Sequence, residues 1–259
     1  MITTSVITCV YNDLMGLSLT AGSVLASLAP DTELLICDDA STDGTQDVLE
    51  KWSAGQERIT VLRNEKNLGP TASRNRLLNA AQGTYVSILD AGDLLLPKKI
   101  STHASILSNK ASVSVVCGRA AVKAPNSRWH SLPSIGFQMG YDLAQPYQFV
   151  FSTMTFRRSA LENIGGFEEP VFTAEGIDAF LKMGDHDGQA YSSQFACLKF
   201  RNPESASQRF SSEHAALITQ TLMAKTLRRR HGPLAASTYT QRLLRHRPQP
   251  QNTSSLTNR

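Results

Sequence analysis

The feature that most constrains this chain is an alternation packed into its first ninety residues. Apolar, β-branched runs at residues 5–10, 33–37, 59–62 and 85–89 are separated by stretches with helical spacing. Leu14, Leu17, Ala21, Val24, Leu25 and Leu28 recur at intervals of three, four and seven. Val48, Leu49 and Trp52 mark a second helix, with Ser41, Thr42 and Asp43 offering capping side chains ahead of it. Residues 70–81 read as a third. Strands joined through helices by short loops run parallel, because each crossover returns the chain to the same end of the sheet. The expected class is α/β: a Rossmann-like, mainly parallel sheet with helices on both faces.

In such sheets ligands bind beyond the carboxyl ends of the strands. Three polar clusters fall there: Tyr11-Asn12-Asp13, Asp38-Asp39, and Asp90-Ala91-Gly92-Asp93. They are remote in sequence but are expected on one edge of the sheet. The last follows an apolar strand directly. Two carboxylates in that position suit a site that handles a divalent metal and a phosphate-bearing ligand.

At 259 residues the chain can build one large domain, or one domain and a small appendage. Its 41% hydrophobic and 19% charged residues are those of an ordinary globular protein. It has no apolar run of the ~18 residues a membrane span needs, and the N-terminus enters a strand with no basic leader. Cys9, Cys37, Cys117 and Cys197 are widely spaced in or beside apolar runs, which reads as buried free thiols. A cytoplasmic protein is expected.

The second half is less regular. Helices are expected near 98–107, 174–183 and 213–230, and strands near 112–117, 149–156 and 190–200. Residues 123–147 are rich in Gly, Pro and Ser. Asp185-His186-Asp187, between Gly184 and Gly188, reads as an exposed loop rather than a metal site. After Glu213 there are eight basic residues and no acidic one, leaving 18 basic against 22 acidic in residues 1–213. This basic extension, 211–246, suits either contact with an anionic membrane surface or a packing helix with a solvated end. Nucleic acid is disfavoured, since only Tyr239 interleaves with the basic groups. Residues 247–259 have a disordered composition.

The chain resembles the family-2 glycosyltransferases of the GT-A fold over roughly residues 3–210. The resemblance rests on residues 5–12, on 38–45 (Asp38-Asp39-Ala40-Ser41-Thr42-Asp43-Gly44-Thr45), on 67–75 (Asn67-Leu68-Gly69-Pro70 to Asn75) and on 89–93. Ile164-Gly165-Gly166-Phe167-Glu168 follows, then Phe200-Arg201 with Ser205 and Ser207. It implies a nucleotide-sugar donor, favouring UDP, held in the half 1–117, and a saccharide or lipid-linked acceptor in the half 118–210. Donor contacts would come from Thr8, Val10, Tyr11, Asp38, Asp39, Asn67, Gly69, Arg74, Asp90 and Ala91. Tyr11 would stack on the base or cap its strand. Asp39 would accept from a base N–H or serve helix capping. Arg74 would reach the donor or hold Asp90.

Two positions depart from the family pattern. Most of the family binds Mn²⁺ or Mg²⁺ through an aspartate at the place of Gly92, so Asp93 or Asp90 would take over any metal, or a cation such as Arg201 would offset the charge. The catalytic-base position is Gly176, leaving Glu175 as first candidate base and Asp178 as second, against a capping Glu and a solvated Asp. The resemblance therefore implies an inverting glycosyltransferase, peripheral on the inner membrane face if the basic extension binds lipid. The alternative is a degenerate relative that binds nucleotide sugars or acts as a scaffold.

Overall fold

The fold is given by a computed structural model, which describes residues 1–123, 126, 128–132, 150–168, 175–186, 188–200, 221 and 225. β1 (Thr4–Val10), α1 (Leu14–Leu25), β2 (Thr32–Asp38), α2 (Thr45–Ser53), β3 (Ile59–Arg63), α3 (Pro70–Ala80) and β4 (Tyr85–Ile88) follow the expected alternation. β1 pairs in parallel with β2 and β4, and β2 with β3. The chain steps outward from β1 to β3, then returns to lay β4 on the other edge of β1. The crevice beyond the ends of β1 and β4 is therefore a switch point, where helices diverge to opposite sides and leave room for a ligand.

Alternate residues of the buried strands feed two cores. Val6, Val10, Leu34 and Ile36 pack on Leu17, Ala21 and Val24 of α1 and Leu49 of α2. Ile7, Leu35, Val86 and Ile88 face the other way, onto Leu77 and Leu78 of α3 and residues from the second half, including Leu161 and Phe180.

Past β4 the sheet becomes mixed. The chain adds β5 (Asp93–Leu95), α4 (Lys99–Asn109), β6 (Val115–Lys123), β7 (His130–Leu132), a 3-10 turn (Phe151–Thr153), β8 (Met154–Arg157), α5 (Arg158–Asn163), α6 (Glu175–His186) and β9 (Gln189–Phe200). β8 lies antiparallel between β4 and β6, β9 parallel to β6, and β5 antiparallel to β9. The order is β3-β2-β1-β4-β8-β6-β9-β5, with β7 on β6. Residue 118, the expected divide between the two halves, lies within β6.

Two expectations are corrected. Of the run 149–156, residue 149 lies outside the described residues and the strand begins only at Met154, because the Val150 carbonyl accepts from both Thr153 N (2.9 Å) and Thr153 Oγ1 (2.8 Å) and closes a turn. Asp185 and His186 belong to α6 rather than to a loop. The helix runs through Gly184 to His186, and beyond it Gly188 has a φ of +90° that only glycine adopts freely.

The four cysteines are free thiols. Among the described residues no helix is long and apolar enough to cross a membrane. The helix expected over 213–230, apart from residues 221 and 225, and the tail 247–259 lie outside the described residues.

Candidate functional site

The loops after β1 and β2 are locked together. Asn12 N donates to Ser41 Oγ (2.9 Å) and Thr42 N to Asn12 Oδ1 (2.7 Å). Asp43 accepts from Leu14 N and Thr45 N, 3.1 Å each, and so ties the starts of α1 and α2. Tyr11, at the tip of this joint, is 46% exposed, while Thr8 and Val10 are buried in β1. Among the described residues the Thr8 hydroxyl has no hydrogen-bond partner.

Asp38 accepts from Ser41 N (2.9 Å), with Arg63 Nη1 3.6 Å from its other oxygen. Buried Asp39 accepts from Asn64 Nδ2 (2.6 Å) and Leu68 N (2.9 Å) at Oδ1 and from Gly69 N (2.8 Å) at Oδ2. A carboxylate offers about four acceptor directions, so among the described residues one remains on Oδ2. Asp39 is thus the anchor of the 64–69 loop, and neither Asp38 nor Asp39 caps α2, whose N-cap is Gly44. Asn67 is exposed and accepts from Gly69 N (3.1 Å). Gly69 has φ +89° and ψ 162°, a region closed to other residues, and hands the chain to Pro70 at the first position of α3.

α3 points Arg74 at the acidic turn. Its guanidinium is buried, donates to Asp90 Oδ1 at 2.7 Å, and lies 4.9 Å over the Phe151 ring. Burial pushes the Asp90 carboxyl up, but Arg74 and Lys199 outweigh it and hold the group below the usual carboxylate range. Asp90 N donates to Ser152 Oγ (3.0 Å), and Gly92 N to Thr20 Oγ1 (3.0 Å). Ala91 between them is half-buried. Asp93, 1% exposed, accepts from Ser152 Oγ and from Lys199 Nζ (3.1 Å). Burial pushes its carboxyl up to about 6. Beneath the turn, buried Lys99 donates to Ile88 O (2.8 Å) and Ser152 O (2.7 Å), and burial brings its ammonium down to about 8.

Ser152, Lys99 and Lys199 were not legible as site residues. Only Lys199 carried a signal, its place beside Phe200 and Arg201; Arg201 itself lies outside the described residues.

α6 opens on the same edge. Gly176 packs against the Phe151 ring so tightly that a Cβ there would fall 2.5 Å from Cδ2. The side chain of Glu175 lies outside the described residues. Asp178, the second candidate base, is 5% exposed, which discards the alternative of a solvated Asp, and sits 2.7 Å from Lys182 Nζ, which also donates to Glu168 (2.8 Å). Lys225, from the basic extension, is 3.8 Å from Glu168.

Mn²⁺ and Mg²⁺ need several free oxygen ligands. Position 92 has no side chain, the Asp93 oxygens are held by Ser152 and Lys199, and Asp90 gives Oδ1 to Arg74 and has Lys199 4.0 Å from Oδ2. Among the described residues no group of three or more His, Cys, Asp or Glu side chains could hold a metal ion. The described residues do not fit a divalent cation.

The family described as glycosyl transferase family 2 matches residues 5–165. EpsE of Bacillus subtilis, which bears a glycosyltransferase name, is 30% identical over 225 residues, covering 83% of this chain and 80% of EpsE. WfaP of Escherichia coli is named UDP-Glc:alpha-D-GlcNAc-diphosphoundecaprenol beta-1,3-glucosyltransferase. It is 34% identical over 99 residues, 38% of this chain and 39% of its own. Staphylococcus aureus TarS 1–349, solved with UDP-GlcNAc, superposes with a TM-score of 0.73 at 20% identity, over 94% of this chain and 72% of TarS. Its likeness carries the GT-A fold. By the family match and by the likeness to EpsE along most of both proteins, this chain belongs to glycosyl transferase family 2.

Proposed function

We propose that the chain is an inverting glycosyltransferase that moves a sugar from a nucleotide sugar, a UDP-sugar first, to a hydroxyl of a saccharide or lipid-linked saccharide. The observation that carries this reading is the arrangement at the switch point. Exposed Tyr11, the Asp39 anchor and the Arg74–Asp90 pair stand at the ends of adjacent strands β1, β2 and β4. The name of WfaP supports the donor and the lipid-diphosphate acceptor.

In this reading the Tyr11 ring stacks on the base, and the remaining Asp39 lone pair accepts from a base N–H, which favours uracil. Thr8, Val10, Asp38, Asn67, Gly69 and Ala91 complete the donor wall, and Asp90, fixed by Arg74, takes the ribose. The acceptor hydroxyl attacks the anomeric carbon opposite the diphosphate. As the new C–O bond forms, the bond to the β-phosphate oxygen breaks and its electron pair stays on that oxygen. The hydroxyl proton goes to a carboxylate. Glu175 is the first candidate, because Asp178 is already paired with Lys182. Residues 1–117 would serve the donor and 118–210 the acceptor. The basic extension 211–246 would hold the protein at the inner face of the cytoplasmic membrane, with 247–259 as a tail.

Donor hydrolysis over a panel of UDP- and GDP-sugars tests the reading. Turnover is expected with at least one UDP-sugar, slowed at least ~100-fold by Glu175→Gln. Turnover unchanged in Glu175→Gln would discard that base. Nucleotide binding with no turnover on any donor would favour the scaffold reading, to which the closed Phe151–Gly176 contact lends weight.

A further inference from the structure

The structure gives the acidic turn an unexpected partner. β5 and β9 pair antiparallel with Asp93 opposite Lys199, so the register itself delivers a lysine to the turn. Its ammonium is 3.1 Å from Asp93 Oδ2 and 4.0 Å from Asp90 Oδ2. One fixed cation thus contacts the carboxylates on both sides of Gly92.

Crowding does not explain the glycine. A Cβ at position 92 would meet nothing closer than Asp13 Oδ2 at 3.8 Å. Its φ of +87° favours glycine, so an aspartate there would carry backbone strain but no clash. Space for a carboxylate exists, and none is supplied. Asp13 is occupied in capping α1 through Gly16 N (2.9 Å). The local charges balance without a metal: Asp13, Asp90 and Asp93 are set against Arg74, Lys199 and Lys99. A divalent site needs an excess of anionic oxygen, and this turn has none.

We infer that Lys199 is the cation of the diphosphate site: held between Asp90 and Asp93, it offsets the charge of the departing nucleoside diphosphate, and the donor binds without a divalent metal. This rests on the nucleotide-sugar reading above. A lysine acts as a point charge on phosphate, and at 27% side-chain exposure Lys199 is open to solvent from its seat on Asp93. Its role is to bind and polarise the leaving group, while the proton still goes to a carboxylate elsewhere.

Calorimetric titration of the full chain with UDP and GDP, in EDTA and in excess Mn²⁺, tests this. The wild type is expected to bind UDP within about threefold of the same Kd in both, and Lys199→Met to bind at least tenfold more weakly in both, a loss of about 1.4 kcal/mol or more. Lys199→Arg should recover most of the affinity, which separates a charge effect from misfolding. Gly92→Asp should make UDP binding respond to Mn²⁺. Wild-type binding that needs Mn²⁺, or Lys199→Met binding like wild type with native unfolding behaviour, would overturn the inference and leave the glycosyltransferase reading standing. Absence of binding by either nucleotide in either condition would overturn both.

Discussion

The Phe151 ring lies against the backbone of Gly176, where a Cβ would come within 2.5 Å of Cδ2. The ring also supports the Arg74 guanidinium and meets Phe156 and Phe167 edge-on, with centroids 6.3 and 5.6 Å away. The start of α6 and the arginine that holds Asp90 therefore share one aromatic wall. Any side chain at position 176 must move it.

Gly176→Ala is accordingly expected to destabilise the fold. Alanine gains about 1 kcal/mol in helix propensity, but overpacking a filled site costs about 1–3 kcal/mol. A net loss of up to about 2 kcal/mol is expected in urea unfolding. Adding Phe151→Ala should cost less than the two single effects combined, since the clash is removed with the ring. Strict additivity would mean that the two residues do not compete for the same space.

Arg74→Met removes the partner of a carboxylate that is mostly buried. Breaking a fully buried pair costs about 3–5 kcal/mol, and Asp90, at 28% side-chain exposure, should lose less. About 1–3 kcal/mol of stability and at least tenfold in UDP affinity are expected to go. Arg74→Lys should recover little affinity, because lysine has neither the planar fork nor the flat face set over Phe151. Full affinity in Arg74→Lys would reduce the residue to a point charge.

How much of this was legible follows from sequence separation. β1 to β4 and their helices are local, and the period of their apolar residues declares them, so the placing of Tyr11, Asp39 and Asp90 on one edge was within reach. The partners of the turn were not. Ser152 is 59 residues from Asp93 and Lys199 is 106 away, brought in by a mixed half-sheet whose register no local pattern encodes. Whether Asp178 is a candidate base or a solvated Asp stays open in the sequence, because its partners, Lys182 and through it Glu168, belong to a packing that helical spacing only half reveals.

Asp93 should imprint a pH dependence on stability. Its carboxyl is raised by burial from 3.8 to about 6. Between about pH 4 and 6 the folded state then holds more protons than the unfolded one, so this residue's contribution falls as pH rises and is flat above. Asp90, held low by Arg74 and Lys199, acts below that window. Urea unfolding from pH 4 to 7 should show wild type losing stability relative to Asp93→Asn across the window. A constant difference would mean that Asp93 titrates normally.

The most direct test of the donor edge is amide hydrogen exchange of the full chain with and without UDP. Slowed exchange is expected in 38–41, 67–69 and 90–93 together, the three loops that follow β2, β3 and β4. Protection confined to other segments, or none at saturating UDP, would contradict the assignment of this edge as the nucleotide-sugar site.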